Sequence, residues 1–286
     1  MQAPDPMSRL IPILLVVGGA SEIGLLLMKR SGSPSDVAYY VQVVSIALMA
    51  AGVALLALVL RASRGTFRST TALMIIGFAS QLAYLIVRYY YEHLATPAYL
   101  PTVSVADLFF LLSYVFWASA AIPYLSSYYG RMQRSSKALL SICAVAVVAA
   151  AYFSGSYWHR TAVDAGYDSM GTIATLVHAV VPFLVLLPLA WVVLLYHVDH
   201  EGKKLLEVAY LYFMIPVGLI AIAEAVTESS YVWSSGYMPG QYSDAIYLLG
   251  VSTLIASAAS VSRSALRDLA RGPSGLNSEK DSSEGH

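Results

Sequence analysis

Eight apolar runs, each close to the length that crosses a hydrocarbon core, fall at about 10–29, 38–60, 71–91, 106–127, 137–153, 172–196, 205–228 and 244–262. Inside a bilayer no water satisfies backbone N–H and C=O groups, so runs of this kind must close their hydrogen bonds within themselves, as helices. The runs and their short connections use nearly all of the 286 residues. No room is left for a soluble catalytic domain. The expected fold is therefore all-α, a polytopic transmembrane bundle of eight spans over residues 1–271. The remainder, 272–286, is polar and poor in apolar side chains, which predicts a disordered cytoplasmic tail.

Charge then sets the orientation. Charged residues make up only 12% of the chain, about half the roughly 25% of a soluble domain. Their placement is uneven. Arg61, Arg64 and Arg68 follow the second span, Arg131, Arg134 and Lys137 the fourth, and Lys203 and Lys204 the sixth. Arg9 stands near the start and Arg263, Arg267, Arg271 and Lys280 near the end; the opposite side keeps only Lys29, Arg30, Arg88 and Arg160. The positive-inside rule then predicts a multi-pass protein of the cell membrane with both termini cytoplasmic. A net charge of zero offers nothing to attract nucleic acid, and the lipid bilayer is the one partner the composition demands. Arg9 and the small residues Gly18-Gly19-Ala20 mimic a signal peptide, but the residues beyond them match a later span, so the first run is read as a resident helix.

The long run 102–125 shows how the spans begin. Asp107 opens it after Pro101-Thr102-Val103-Ser104, with an aromatic, Phe110, three residues on. Asp36 with Tyr39 and Asp244 with Tyr247 repeat the arrangement, and Asp168 stands where a fourth copy falls. A carboxylate at a helix start meets the positive end of the dipole and accepts from open N–H groups. The preceding spans echo one another too: Gly18 to Ile23 aligns with Gly77 to Leu82, and more loosely with Ala221 to Ala225. The spacing predicts four parallel-related helical hairpins. Pro182, Pro188 and Pro216 predict bends in the sixth and seventh spans.

Glu22, Gln81 and Glu224 occupy equivalent or near-equivalent positions in three hairpins, inside spans where an ionised group costs several kcal/mol unless paired or hydrated. Converging, they predict a polar pocket in the outer half of the bundle. With Arg88, Asp107 and Asp244 they form the expected ligand-binding set, in which Arg88 pairs with Glu92, with Asp107 or with an anionic ligand. The bland alternatives are helix-to-helix hydrogen bonding by neutral acids and an Arg88 that snorkels to the interface. His178 lacks a second intramembrane histidine for haem or metal and is read as a hydrogen-bonded core residue. The group His197, Asp199, His200 and Glu201 has metal-ligand chemistry but reads as ordinary juxtamembrane polarity, and Cys143 as a buried structural thiol. Aromatics crowd the expected outer connections at Tyr89–Tyr91, Tyr157, Trp158, Tyr231 and Trp233, as interfacial belts do, and the long connection 229–243 suits a lid. There is no lysine for a retinal Schiff base in the last spans, no His-Glu-x-x-His, no Gly-x-Ser-x-Gly and no phosphate loop. Catalysis and a resident cofactor are accordingly not expected.

Residues 103–117, VSVADLFFLLSYVFW, resemble the multi-pass membrane input modules that precede prokaryotic sensor histidine kinases and diguanylate cyclases, the likeness being best over 76–125. The chain departs from that pattern at Ser113, where glycine is usual, and at Gln81, often acidic. No kinase or cyclase domain follows. The resemblance implies a free-standing sensor that binds a small molecule and acts through a membrane or cytoplasmic protein partner. The buried carboxylates and prolines argue instead for a secondary transporter or proton-coupled carrier. A structural membrane subunit of a larger complex is the third reading.

Overall fold

In a computed structural model the described residues are 6–63, 65–95, 103–128, 134–198, 205–233 and 239–271. They form eight helices: α1 (Pro6–Ser31), α2 (Pro34–Ala62), α3 (Gly65–Tyr89), α4 (Val105–Tyr128), α5 (Arg134–Asp164), α6 (Ser169–Val198), α7 (Leu205–Trp233) and α8 (Tyr242–Arg271). No strand occurs among the described residues, and the all-α bundle is as expected. Seven helices hold stretches of 18 to 28 residues long and apolar enough to cross a membrane, and α7 adds the shorter stretch Phe213–Thr227. The tail 272–286, Asp199 to Lys204, and Arg131 lie outside the described residues, as do the side chains of Arg9, His197, Arg263, Arg267 and Arg271.

Helix starts are set by the aspartates. Ser33 caps α2 in a reciprocal capping box: its backbone N–H donates to Asp36 Oδ2 at 2.8 Å, and its Oγ accepts from the Asp36 N–H at 3.3 Å. At α4 the Ser104 N–H donates to Asp107 Oδ2 at 2.5 Å, and at α8 the Gly240 N–H donates to Asp244 Oδ2 at 2.5 Å. Gly240 holds a φ of 83°, which a side chain would strain, and this turn is what brings its N–H back onto Asp244. Asp168 caps α6 from one turn earlier, standing just outside the helix and accepting from the Gly171 N–H at 2.7 Å. The fourth aspartate thus does the same work from a different position. Just before it, Gly166 ends α5 in a Schellman turn, with Tyr167 N–H bonded to Ala162 O at 3.0 Å and Gly166 N–H to Val163 O at 3.0 Å.

Helices α3 and α4, α5 and α6, and α7 and α8 pack as antiparallel hairpins. The first hairpin is splayed. Helix α1 touches α2 only thinly and leans on α8, which also lies against α2. Helices α2, α3, α4, α6, α7 and α8 close a ring in which each meets the next, leaving α1 and α5 outside it. The sequence explains these places. Leu15 and Val16 on α1 and Val145 and Phe153 on α5 are each about 70% exposed, as suits lipid-facing rows. By contrast, α8 buries Ser252, Thr253, Ala256, Ser257, Ala258 and Ser260, small side chains that allow neighbouring backbones to approach closely.

Some helices outrun their apolar runs. Helix α5 continues through Tyr157, Trp158 and Arg160, which the apolar run alone had put in a connection. Its 31 residues span roughly 46 Å, more than the core and its interfaces need. Helix α7 likewise reaches Trp233, so Tyr231 and Trp233 are helical and the expected lid segment 229–243 shrinks; 234–238 lie outside the described residues. Helices α6 and α7 run unbroken past Pro182, Pro188 and Pro216.

Candidate functional site

Polar side chains gather where α2, α6 and α8 begin and α3 and α7 end. There a cavity of about 320 Å³ opens between five helices. Gln42 and Ser45 line it from α2, Tyr84 and Arg88 from α3, His178 from α6, Glu224 and Thr227 from α7, and Ser243, Asp244 and Tyr247 from α8. Beyond Tyr89 the end of α3 widens into a π turn, Tyr90–Leu94, closed by Ala95 N–H onto Tyr90 O at 2.9 Å. Such turns re-aim side chains, and this one brings Glu92 into the wall.

Arg88 is held from two sides. Its Nε donates to Glu92 Oε1 at 2.6 Å and its Nη1 to the Tyr84 hydroxyl at 2.8 Å. Gln42 Nε2 donates to the other oxygen of Glu92, and Gln42 Oε1 stands 2.7 Å from His93 Nε2. Arg88 therefore takes Glu92, the first of its three expected partners.

Asp107 lies behind the wall. One oxygen caps α4 while the other meets His178 Nε2 at 2.7 Å, so a single carboxylate anchors both its own helix and α6. His178 is pressed flat on Phe110, with centroids 4.0 Å apart and planes 24° apart. A file of rings continues away from the cavity through Tyr114 and Trp117 to Phe78. His178 is hydrogen-bonded, as expected, but by an aspartate, and it faces the cavity.

The three repeat positions do not meet. Glu224 is half-buried in the cavity wall, with Arg88, His178 and Asp244 near enough to act on its charge. Gln81 is wholly buried one turn deeper on α3, where its Nε2 donates to Tyr247 Oη at 3.1 Å and its Oε1 accepts from Ser113 Oγ at 2.9 Å. It ties α3, α4 and α8 together. Glu22 is not in the cavity lining but stands near Tyr40 of α2, and one of its oxygens is buried without a partner among the described residues. Helix register explains the divergence: equivalent positions on splayed or outboard helices do not share a focus. Replacing Gln81 by Leu removes both bonds and should lower stability by about 1–2 kcal/mol, the range of interhelical hydrogen bonds in membranes. Chemical unfolding in mixed micelles measures this, and an unchanged midpoint would mean that Gln81 is not a structural tie.

Gln42, Ser45, Tyr84, Glu92, His178, Thr227 and Ser243 also line the cavity, at positions outside the repeat. Gln42 carried a signal, being an amide inside an apolar run. The serines carried none, because small hydroxyls are common in packed spans. Yet Ser45 and Ser243, only 1% and 2% exposed, hold hydroxyls with no hydrogen-bond partner among the described residues. Compared with protein-family models, curated proteins and solved structures, the chain matches none.

Proposed function

We propose that this chain is an integral membrane sensor that takes a small molecule into the cavity at the α3–α7 end and passes the change to a protein partner. The observation that carries it is a polar cavity between five helices, two of whose lining residues, Ser45 of α2 and Ser243 of α8, hold buried hydroxyls without a partner among the described residues. Leaving such groups unpaired costs about 1–3 kcal/mol each, and an occupant that bonds them recovers that cost. Its volume sits at the lower end of the roughly 300–1,000 Å³ typical of small-molecule sites. The basic-residue bias supports an outward orientation of this end, and the likeness of 103–117 to membrane input modules supports a sensory role. An occupant touching five helices can bias their packing, which is what signalling across a membrane needs.

Thr227→Trp tests the reading by filling the cavity from a wall position. In a thermal-shift screen of small metabolites, some compounds should stabilise the native protein and lose that effect in the variant. A library without one such compound would remove the basis for a sensor. A carrier is favoured by one observation, that Glu224 forms no hydrogen bond to a described residue and stays open to a proton or ion. Uptake into proteoliposomes that collapses in Glu224→Gln would establish the carrier in place of the sensor.

A further inference from the structure

The charged side chains in the cavity wall are mostly acidic. Glu92, Glu224 and Asp244 stand in its wall against one permanently charged cation, Arg88, and that cation already gives its Nε to Glu92 and its Nη1 to Tyr84. Behind His178 lies a fourth carboxylate, Asp107, at 2.7 Å. An anionic occupant would meet an excess of like charge with its natural partner engaged. A cation meets the reverse. In a partly enclosed site such an imbalance acts at an effective dielectric well below that of water.

The unsatisfied groups point the same way. Ser45 Oγ and Ser243 Oγ are buried and unpaired among the described residues, on two residues that line the cavity. A serine hydroxyl accepts from an N–H donor as well as it donates. Tyr247 supplies aromatic wall, and an aromatic ring favours positive charge, as Arg88 over the Tyr84 ring at 6.0 Å already shows.

We infer that the occupant of this cavity is a small organic cation, a primary amine or guanidinium on a short apolar body, with Glu224 as its counter-ion and the hydroxyls of Ser45 and Ser243 as acceptors. The inference rests on the ligand-binding reading above and narrows it to one chemical class. Asp244 is partly committed to Gly240, which leaves Glu224 as the carboxylate without a hydrogen bond to a described residue. The amine end therefore belongs at α7.

The test uses the full-length protein in lipid nanodiscs and three probes of nearly equal shape: benzylamine, benzyl alcohol and benzoate. Calorimetry and thermal shift should show benzylamine binding at least tenfold more tightly than the other two. Glu224→Gln should weaken benzylamine by about tenfold or more, the loss expected on removing a charged hydrogen bond, while Glu224→Asp keeps most of the affinity. Ser45→Ala should weaken it about fivefold, as for a neutral hydrogen bond, without lowering the melting temperature of the empty protein. Binding of benzoate or benzyl alcohol in preference, absence of benzylamine binding, or affinity indifferent to both Glu224→Gln and Thr227→Trp each overturns the inference. If the wider screen still yields a neutral or anionic compound displaced by Thr227→Trp, only the cation assignment falls; with no such compound, the sensor reading falls as well.

Discussion

Trp117→Ala is expected to lower the free energy of unfolding by about 3–5 kcal/mol, the range for truncating a buried large side chain to alanine. Trp117 has no exposed surface and packs on Phe78 and Tyr114 at centroid distances of 5.1 and 5.2 Å. Lipid is as apolar as the interior, so the loss comes from missing packing atoms more than from contact with water, and the lower end of the range is the better expectation. Gly77 makes the arrangement specific. A Cβ there would stand 2.5 Å from Trp117 Cδ1 and Nε1, so α3 and α4 approach this closely only because position 77 is bare. Gly77→Ala should therefore destabilise alone and be partly rescued by Trp117→Phe, whose smaller ring gives back the space. The indole N–H has no partner among the described residues, so Trp117→Phe by itself should cost far less than Trp117→Ala. Denaturation midpoints of the four proteins in mixed micelles form a double-mutant cycle. Additive effects would show that Gly77 and Trp117 do not share a contact.

Asp107→Ala should be the second large loss, about 2–4 kcal/mol. Two roles end at once: the capping interaction with Ser104, typically worth 0.5–2 kcal/mol, and the bond to His178, in the 1.5–3 kcal/mol range for a charged partner. The Asp107 side chain is 23% exposed, which trims the second figure. Asp107→Asn keeps an acceptor for the cap and should recover about half of the loss. Because His178 lines the cavity, the alanine variant should also weaken ligand binding, whereas Ser104→Ala, which spares the contact between helices, should not. Equal stability of Asp107→Ala and Asp107→Asn would mean that the carboxylate does not serve two helices.

Spans and helix starts were legible because they depend on local rules. Apolar length predicts a helix whatever its neighbours, and an aspartate three residues after a serine predicts a cap, as Ser33 with Asp36 and Ser104 with Asp107 show. Which helices meet was not legible. Repeat alignment put Glu22, Gln81 and Glu224 in register, but register along the chain says nothing about which face of the bundle each helix presents. Only Glu224 reaches the cavity, Gln81 is spent on Tyr247 and Ser113, and Glu22 is carried off by a helix that leans on α8. Ser45 and Ser243 escaped notice for a related reason: what distinguishes them from other serines is a missing neighbour, and a missing neighbour leaves no mark on composition.

Helix α8, lodged between α1 and α2, also constrains how the protein is made. During translation α1 and α2 are made long before their principal neighbour, and their facing surfaces must wait, loosely associated, until α8 threads in. A chain lacking α8 would be left with an open seam between α1 and α2 rather than a smaller finished bundle.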